Sequence, residues 1–171
     1  PEDKIDLVQG NALDLSRYAD KSFDIVLLFG PLYHLKNDAD KQKCISEAKR
    51  VSKDGGKIFF AFISNDFVFL TEFGYDVNYF SNGDYDKETF KLNDFPFVFH
   101  TVGAARKLLA DGGINILHEV ASDGASELLA ARINEMSDED YTQYLRYHFY
   151  ICEKPELLGM TNHLLFMGEK K

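Results

Sequence analysis

Tyr33 and His34 stand where this chain is best placed to do chemistry. They follow Gly30-Pro31, which breaks an apolar run from Phe23 to Phe29. Such a run is what a central parallel strand needs when helices cover both faces of its sheet. The Phe23 strand is therefore expected to be buried on both sides. Ligands of open α/β sheets bind beyond the carboxyl ends of the strands, so Phe29, Gly30 and Pro31 form the candidate ligand wall, with Tyr33 and His34 at its mouth. An imidazole there can accept a proton near neutral pH. His34 can equally well order the turn or pack over it, and the sequence leaves both readings open.

The remaining histidines divide by context. His100 precedes Thr101, a plausible helix cap, and can face the same pocket. Together with Phe67 and Phe99 it is a candidate for the substrate-pocket lining. His118 and His163 fall on strands and His148 on an apolar helical stripe, so these three read as core or interface residues. No His, Cys or carboxylate group has metal-ligand spacing, and no Gly-x-Ser-x-Gly elbow occurs. Cys44 and Cys152 sit at apolar helical positions without CxxC spacing and read as buried, reduced thiols.

Composition narrows the partners. The chain has 171 residues, 45% of them hydrophobic, and a formal net charge of −9. That charge argues against a nucleic-acid phosphate track, which needs clustered Lys and Arg. Neither a membrane-length apolar run nor a charged start before an apolar core is visible. A cytoplasmic protein acting on a small molecule is the expectation.

The elements that must position these residues alternate. Ile5 to Gln9 reads as a short strand ending at Gly10. Asn37 to Ser52 reads as a helix capped by Asn37 or Asp38, with Cys44, Ile45, Ala48 and Val51 at helical spacing. Gly55-Gly56 is expected to stop it before a strand from Lys57 to Ile63. Val102 to Ala110 reads as a helix ending near Gly112-Gly113 and leading into the strand Ile114 to His118, and Asn162 to Met167 reads as a closing strand. This alternation predicts one domain over residues 1–171, a doubly wound, mostly parallel α/β sheet with helices on both faces.

Two insertions interrupt the pattern. Residues 65–100 hold eleven aromatics between Phe67 and Phe99, and they either pack over the sheet edge or form a lid. Residues 125–158 carry a helix that opens with Ser137 and Asp140 in capping-box-like spacing. Tyr141, Tyr144, Leu145, His148, Phe149 and Cys152 recur along it at helical spacing, and it ends by Pro155.

Read in order, Gln9-Gly10-Asn11-Ala12-Leu13-Asp14-Leu15, Ser22-Phe23-Asp24-Ile25-Val26, Gly30-Pro31-Leu32-Tyr33-His34-Leu35 and Arg50-Val51-Ser52-Lys53-Asp54-Gly55-Gly56-Lys57 resemble the middle of a class I S-adenosylmethionine-dependent methyltransferase. The tail, Pro155-Glu156-Leu157-Leu158-Gly159 and His163-Leu164-Leu165-Phe166, resembles the end of a bacterial small-molecule branch of that superfamily. The resemblance implies S-adenosylmethionine as cofactor and a Rossmann-like strand order 3-2-1-4-5-7-6, in which the Ile5 strand is strand three. It also implies cofactor contacts from Gly10, Asn11, Ala12 and Leu13, with Asn11 and Ala12 against the adenine, and from Phe29, Gly30 and Pro31 beside the methionine part. His34 and Tyr33 are then the candidates for proton handling. The Phe-Gly-Pro-Leu at 29–32 differs from the Asn/Asp-Pro-Pro-aromatic tetrad of base and glutamine methylators, which disfavours base methylation.

The family's Gly-rich loop and its ribose-binding acid lie upstream of the strand that Ile5 begins. The chain therefore reads as an N-terminally truncated methyltransferase domain, expected to be inactive alone and to self-associate through the edge of the Phe23 strand. The rival readings are another Rossmann-like enzyme, such as a nicotinamide-dependent oxidoreductase, and a truncated domain that does not catalyse.

Overall fold

The computed structural model describes residues 5–171. β1 (Phe23–Leu28) leads through α1 (Pro31–His34) and α2 (Asp38–Val51) into β2 (Ser52–Ser64). α3 (Asn65–Tyr75) and α4 (Tyr79–Asn82) precede the short β3 (Phe99–His100), and α5 (Val102–Asp111) leads into β4 (Ile114–Ala121). α6 (Ala130–Ile133) and α7 (Asp138–Ile151) come before β5 (His163–Lys170).

The strands lie in the order β1-β2-β5-β4, with β3 beside the end of β2. β1 and β3 run parallel to β2, whereas β5 is antiparallel to both β2 and β4. This is the 4-5-7-6 half of the expected order, and the fold class is the α/β, Rossmann-like one.

Local chemistry explains the helices. The Asp40 N–H donates to Asn37 Oδ1 at 2.8 Å, the Ala104 N–H to Thr101 Oγ1 at 3.1 Å and the Asp140 N–H to Ser137 Oγ at 3.2 Å, so each helix starts on a side-chain cap. Ile45 and Ala48 of α2 and Ala105 and Leu109 of α5 are buried against Ile58, Phe60, Phe62, Leu164 and Phe166 of the sheet. One face of the sheet is thus closed. The aromatic stretch after β2 builds a satellite cluster of Phe69, Tyr85 and Leu92, flanked by Tyr79 and Phe99.

Three expectations are corrected. Residues 5–9 form no strand; Ile5 is 76% and Leu7 89% exposed, and an extended segment without a ladder partner has nothing to hold it in a sheet. β1 is not buried on both faces. Val26 and Leu28 face the core, but Ile25 and Leu27 remain 59% and 57% exposed, and β1 is an edge strand among the described residues. Finally, Gly55-Gly56 does not stop α2. The helix ends at Val51, and the glycines lie in an irregular start of β2, where Ser52 pairs with Phe23 and Lys57 with Ile25. A Cβ on Gly56 would sit 2.7 Å from Ser52 Oγ and 3.0 Å from the Asp24 carbonyl oxygen, so glycine is needed there for close approach rather than for capping.

Candidate functional site

β1 delivers the chain to Gly30, whose φ of +154° lies where a residue with a side chain is strained. The turn passes at once into α1, where Leu32 is fully buried and anchors it. Phe29 is left 54% exposed. A Cβ on Gly30 would meet nothing nearer than Tyr33 Oη, at 3.9 Å. The turn is therefore open backbone with a phenol close by.

Ala12 and Leu13 pack against the same core cluster that contains Leu28 and Leu32. They belong to a tight turn closed by the Asp14 N–H on the Asn11 carbonyl at 2.9 Å. Asn11 Oδ1 accepts from the Leu13 N–H at 3.0 Å, so its side chain braces the turn and keeps one lone pair for another donor. Arg50 of α2 holds the following segment. Its guanidinium donates to the Leu15 and Tyr18 carbonyls and to Asp20, and pairs with Glu47, which itself accepts from the Leu15 N–H at 2.7 Å. These bonds hold the Glu47 carboxyl below the usual range.

Tyr33 and His34 pack on the aromatic segment before β3. Phe97 meets their rings at 5.9 and 5.3 Å, and the Val98 N–H donates to the Tyr33 carbonyl at 2.9 Å. On its other side Phe97 lines a cavity of about 340 Å³ with Ile63, Val68, Glu72, Phe95, Phe99, Glu127 and His163. That volume suits a small ligand.

The substrate-pocket candidates separate. Phe99 lines this cavity. Phe67 does not; it is 2% exposed and its N–H donates to the α3 cap, Ser64 Oγ. Its place in the first turn of α3 turns it inward. His100 lines a different cavity, between α2 and α5, with Lys41, Lys91 and Asp94. Phe99 borders this second cavity as well, so of the two neighbours only Phe99 reaches both. Among the described residues the buried His100 ring has no hydrogen-bond partner at either nitrogen, and burial followed by the charges of Lys41 and Lys91 pushes its pKa down to about 4.

His163, expected to be a core or interface residue, instead stands first on β5 with its side chain 57% exposed and Nδ1 2.7 Å from Asp123 Oδ2. Leu164 and Phe166 point into the core, so the strand alternation already turns His163 outward. Its carboxylate partner is forty positions away and gives no local signal.

Residues 1–60 match the family described as a methyltransferase domain. A protein named as a methyltransferase in Encephalitozoon cuniculi is 40% identical over 52 residues, covering 30% of this chain and 24% of that protein. A SAM-dependent methyltransferase of Thermotoga maritima superposes over 96% of this chain and 63% of its own, with TM-score 0.55 and 16% identity. One from Archaeoglobus fulgidus covers 99% and 69%, with TM-score 0.55 and 14% identity. The fold is that of the class I methyltransferases. The chain spans about a quarter of the curated relative in the matched stretch and under two thirds of the Thermotoga enzyme.

The turns at 10–13 and 29–31 leave room for a ligand. A Cβ on Gly10 would meet nothing within 4 Å, and Gly30 is similarly open, so backbone at both turns can be approached closely. Among the described residues no group of His, Cys, Asp and Glu is arranged to hold a metal ion. Nor is any helix long and apolar enough to cross a membrane.

Proposed function

We propose that the protein transfers a methyl group from S-adenosylmethionine to a small-molecule acceptor. When bound, that cofactor supplies the methyl as an electrophile on a positively charged sulfur. Gly10, Asn11, Ala12 and Leu13 are proposed to hold its adenine end, the second lone pair of Asn11 Oδ1 serving as acceptor. The open backbone of Phe29, Gly30 and Pro31 is proposed to face its methionine end. Displacement at a methyl carbon needs alignment above all, and the aromatic cavity beyond Phe97 would supply it for the acceptor.

The observation that carries this reading is the continuity from the Gly30 turn through Tyr33 and Phe97 into that cavity. A nicotinamide-dependent oxidoreductase is disfavoured by the antiparallel β5 between β2 and β4, since dinucleotide sheets are mostly parallel. Calorimetric titration with S-adenosylhomocysteine tests the proposal on this chain and on a version extended upstream. Saturable binding in the extended protein is expected, and no binding in either would overturn the reading in favour of a non-catalytic domain.

A further inference from the structure

His163 Nδ1 is fixed on Asp123 Oδ2 at 2.7 Å, and Asp123 is itself fixed. Its Oδ1 accepts from Thr161 Oγ1 and, at 3.2 Å, from the His163 backbone N–H. Thr161 is fully buried and also accepts from the N–H groups of Asp123 and Gly124. A carboxylate on Nδ1 keeps the proton there and leaves Nε2 with the lone pair. His163 lines the 340 Å³ cavity, so an oriented imidazole faces the space that the proposed acceptor would enter.

The rest of the lining has a consistent chemistry. Glu127 is held in place by Tyr75 Oη at 3.1 Å and by Asn162 Nδ2, and Asn162 accepts from Thr71 Oγ1 at 3.0 Å. Glu72 joins from α3, Phe95, Phe97 and Phe99 supply ring faces, and no Lys or Arg is among the lining residues. Carboxylates and aromatic rings suit a ligand with an apolar body and a positive charge; Lys36 and Lys91 stand over the Phe95 and Phe99 rings at 5.8 and 5.9 Å from outside the lining, so the carboxylates carry the recognition of charge.

We propose that the cavity takes a small protonated amine as methyl acceptor, and that His163, oriented by Asp123, removes the proton that blocks its lone pair. This rests on the methyl-transfer reading. One N–H proton passes to His163 Nε2, the freed lone pair forms the new N–C bond, and the electron pair of the broken C–S bond stays on sulfur. The products are an N-methylammonium ion, an imidazolium at His163 and a neutral thioether. The imidazolium then returns its proton to solvent. The groups facing His163 are Asp123, Glu127 and Glu72, all acidic. The Asp123 hydrogen bond raises its pKa, burial opposes this and Glu127 adds to the rise, which strengthens the base.

Benzylamine and its neutral counterpart benzyl alcohol are suitable probes, read by NMR titration of the His163 ring in the chain without cofactor. Benzylamine is expected to bind and move the His163 titration, benzyl alcohol to bind at least tenfold more weakly, and Glu127→Gln to weaken benzylamine by about tenfold, the order of one charge-assisted contact. Asp123→Asn should lower the His163 pKa, and His163→Gln should remove the neutral-pH limb of kcat while leaving S-adenosylhomocysteine affinity unchanged. Equal binding of the two probes, or benzylamine binding that ignores Glu127→Gln and leaves His163 unmoved, overturns the inference. Methylation of benzyl alcohol alone would sink the amine site but keep the methyl-transfer reading. Benzylamine binding in an extended protein that ignores S-adenosylhomocysteine would do the reverse.

Discussion

Phe97 presses edge-on against Tyr33, ring centre to ring centre at 5.9 Å, and so ties the turn after β1 to the cavity beyond it. Phe97→Ala should open that seam. An aromatic pair contributes roughly 0.5–1.5 kcal/mol beyond its buried area, so acceptor KM is expected to rise about three- to tenfold while S-adenosylhomocysteine affinity holds. Steady-state kinetics beside calorimetry checks this, and an equal loss of both would place Phe97 in the cofactor site.

Gly30→Val should weaken S-adenosylhomocysteine binding about tenfold or more, with the circular dichroism spectrum unchanged. A backbone held in a region disfavoured for side chains costs about 1–3 kcal/mol, and φ at Gly30 is +154°. The strain falls on the turn rather than the core, because Leu32 beyond it stays buried. Unchanged affinity would remove the turn from the site.

His34→Phe distinguishes the two readings of His34. Phenylalanine keeps the packing on Tyr33 and Phe97 and loses the proton acceptor. With His163 as the base, kcat should change less than about threefold. A hundredfold loss with intact cofactor binding would assign proton transfer to His34.

His100 sets an acid limit on stability. Its folded pKa of about 4 lies below the ~6.5 of an unfolded chain. Between these values the unfolded state binds the extra proton, so stability is lost as pH falls through that window, by up to about 3 kcal/mol. His163 has the opposite sign: its raised folded pKa gives stability present in acid and lost as pH rises through it. His100→Phe keeps the edge-on contact with Phe62, now at 5.0 Å, and should raise Tm more at pH 5 than at pH 8. Equal shifts at both would contradict it.

Arg50→Lys should fail to replace Arg50. The guanidinium fork serves Glu47, Asp20 and two backbone carbonyls at once, and a lysine cannot reproduce that geometry. Faster hydrogen exchange at the Leu15 N–H, which Glu47 accepts, and a lower Tm are expected. Unaltered exchange would show that the segment is held by other contacts.

The legible part of this protein was whatever local chemistry dictates. Asn37, Thr101 and Ser137 announce their helices because a cap acts within three residues. The order of β1, β2, β5 and β4 followed from the resemblance. What stayed hidden depends on distant partners. Phe23 to Leu28 has the composition of a strand covered on both faces, yet Ile25 and Leu27 are exposed, since composition does not record what covers a strand. Gly55-Gly56 looks like a helix stop because a glycine in a close strand approach has the same letter. Phe99 reaches the cavity that His163 lines while its neighbour His100 does not, and the Asp123–His163 pair exists only once β4 and β5 have met.

The antiparallel β5 between β2 and β4 has a consequence for biosynthesis. Among the described residues β5 is the only strand neighbour of β4, and it also occupies the second edge of β2, from Ile58 to Ile63. A nascent chain emerging at about 5–20 residues per second leaves that edge without its partner for roughly 5–20 s after β2 is made. During this interval Phe59, Phe60 and Phe62 present an open template to any other strand. Translation pauses between Ser64 and His163 should therefore reduce yield more than pauses elsewhere, and a chaperone that shields that edge should restore it.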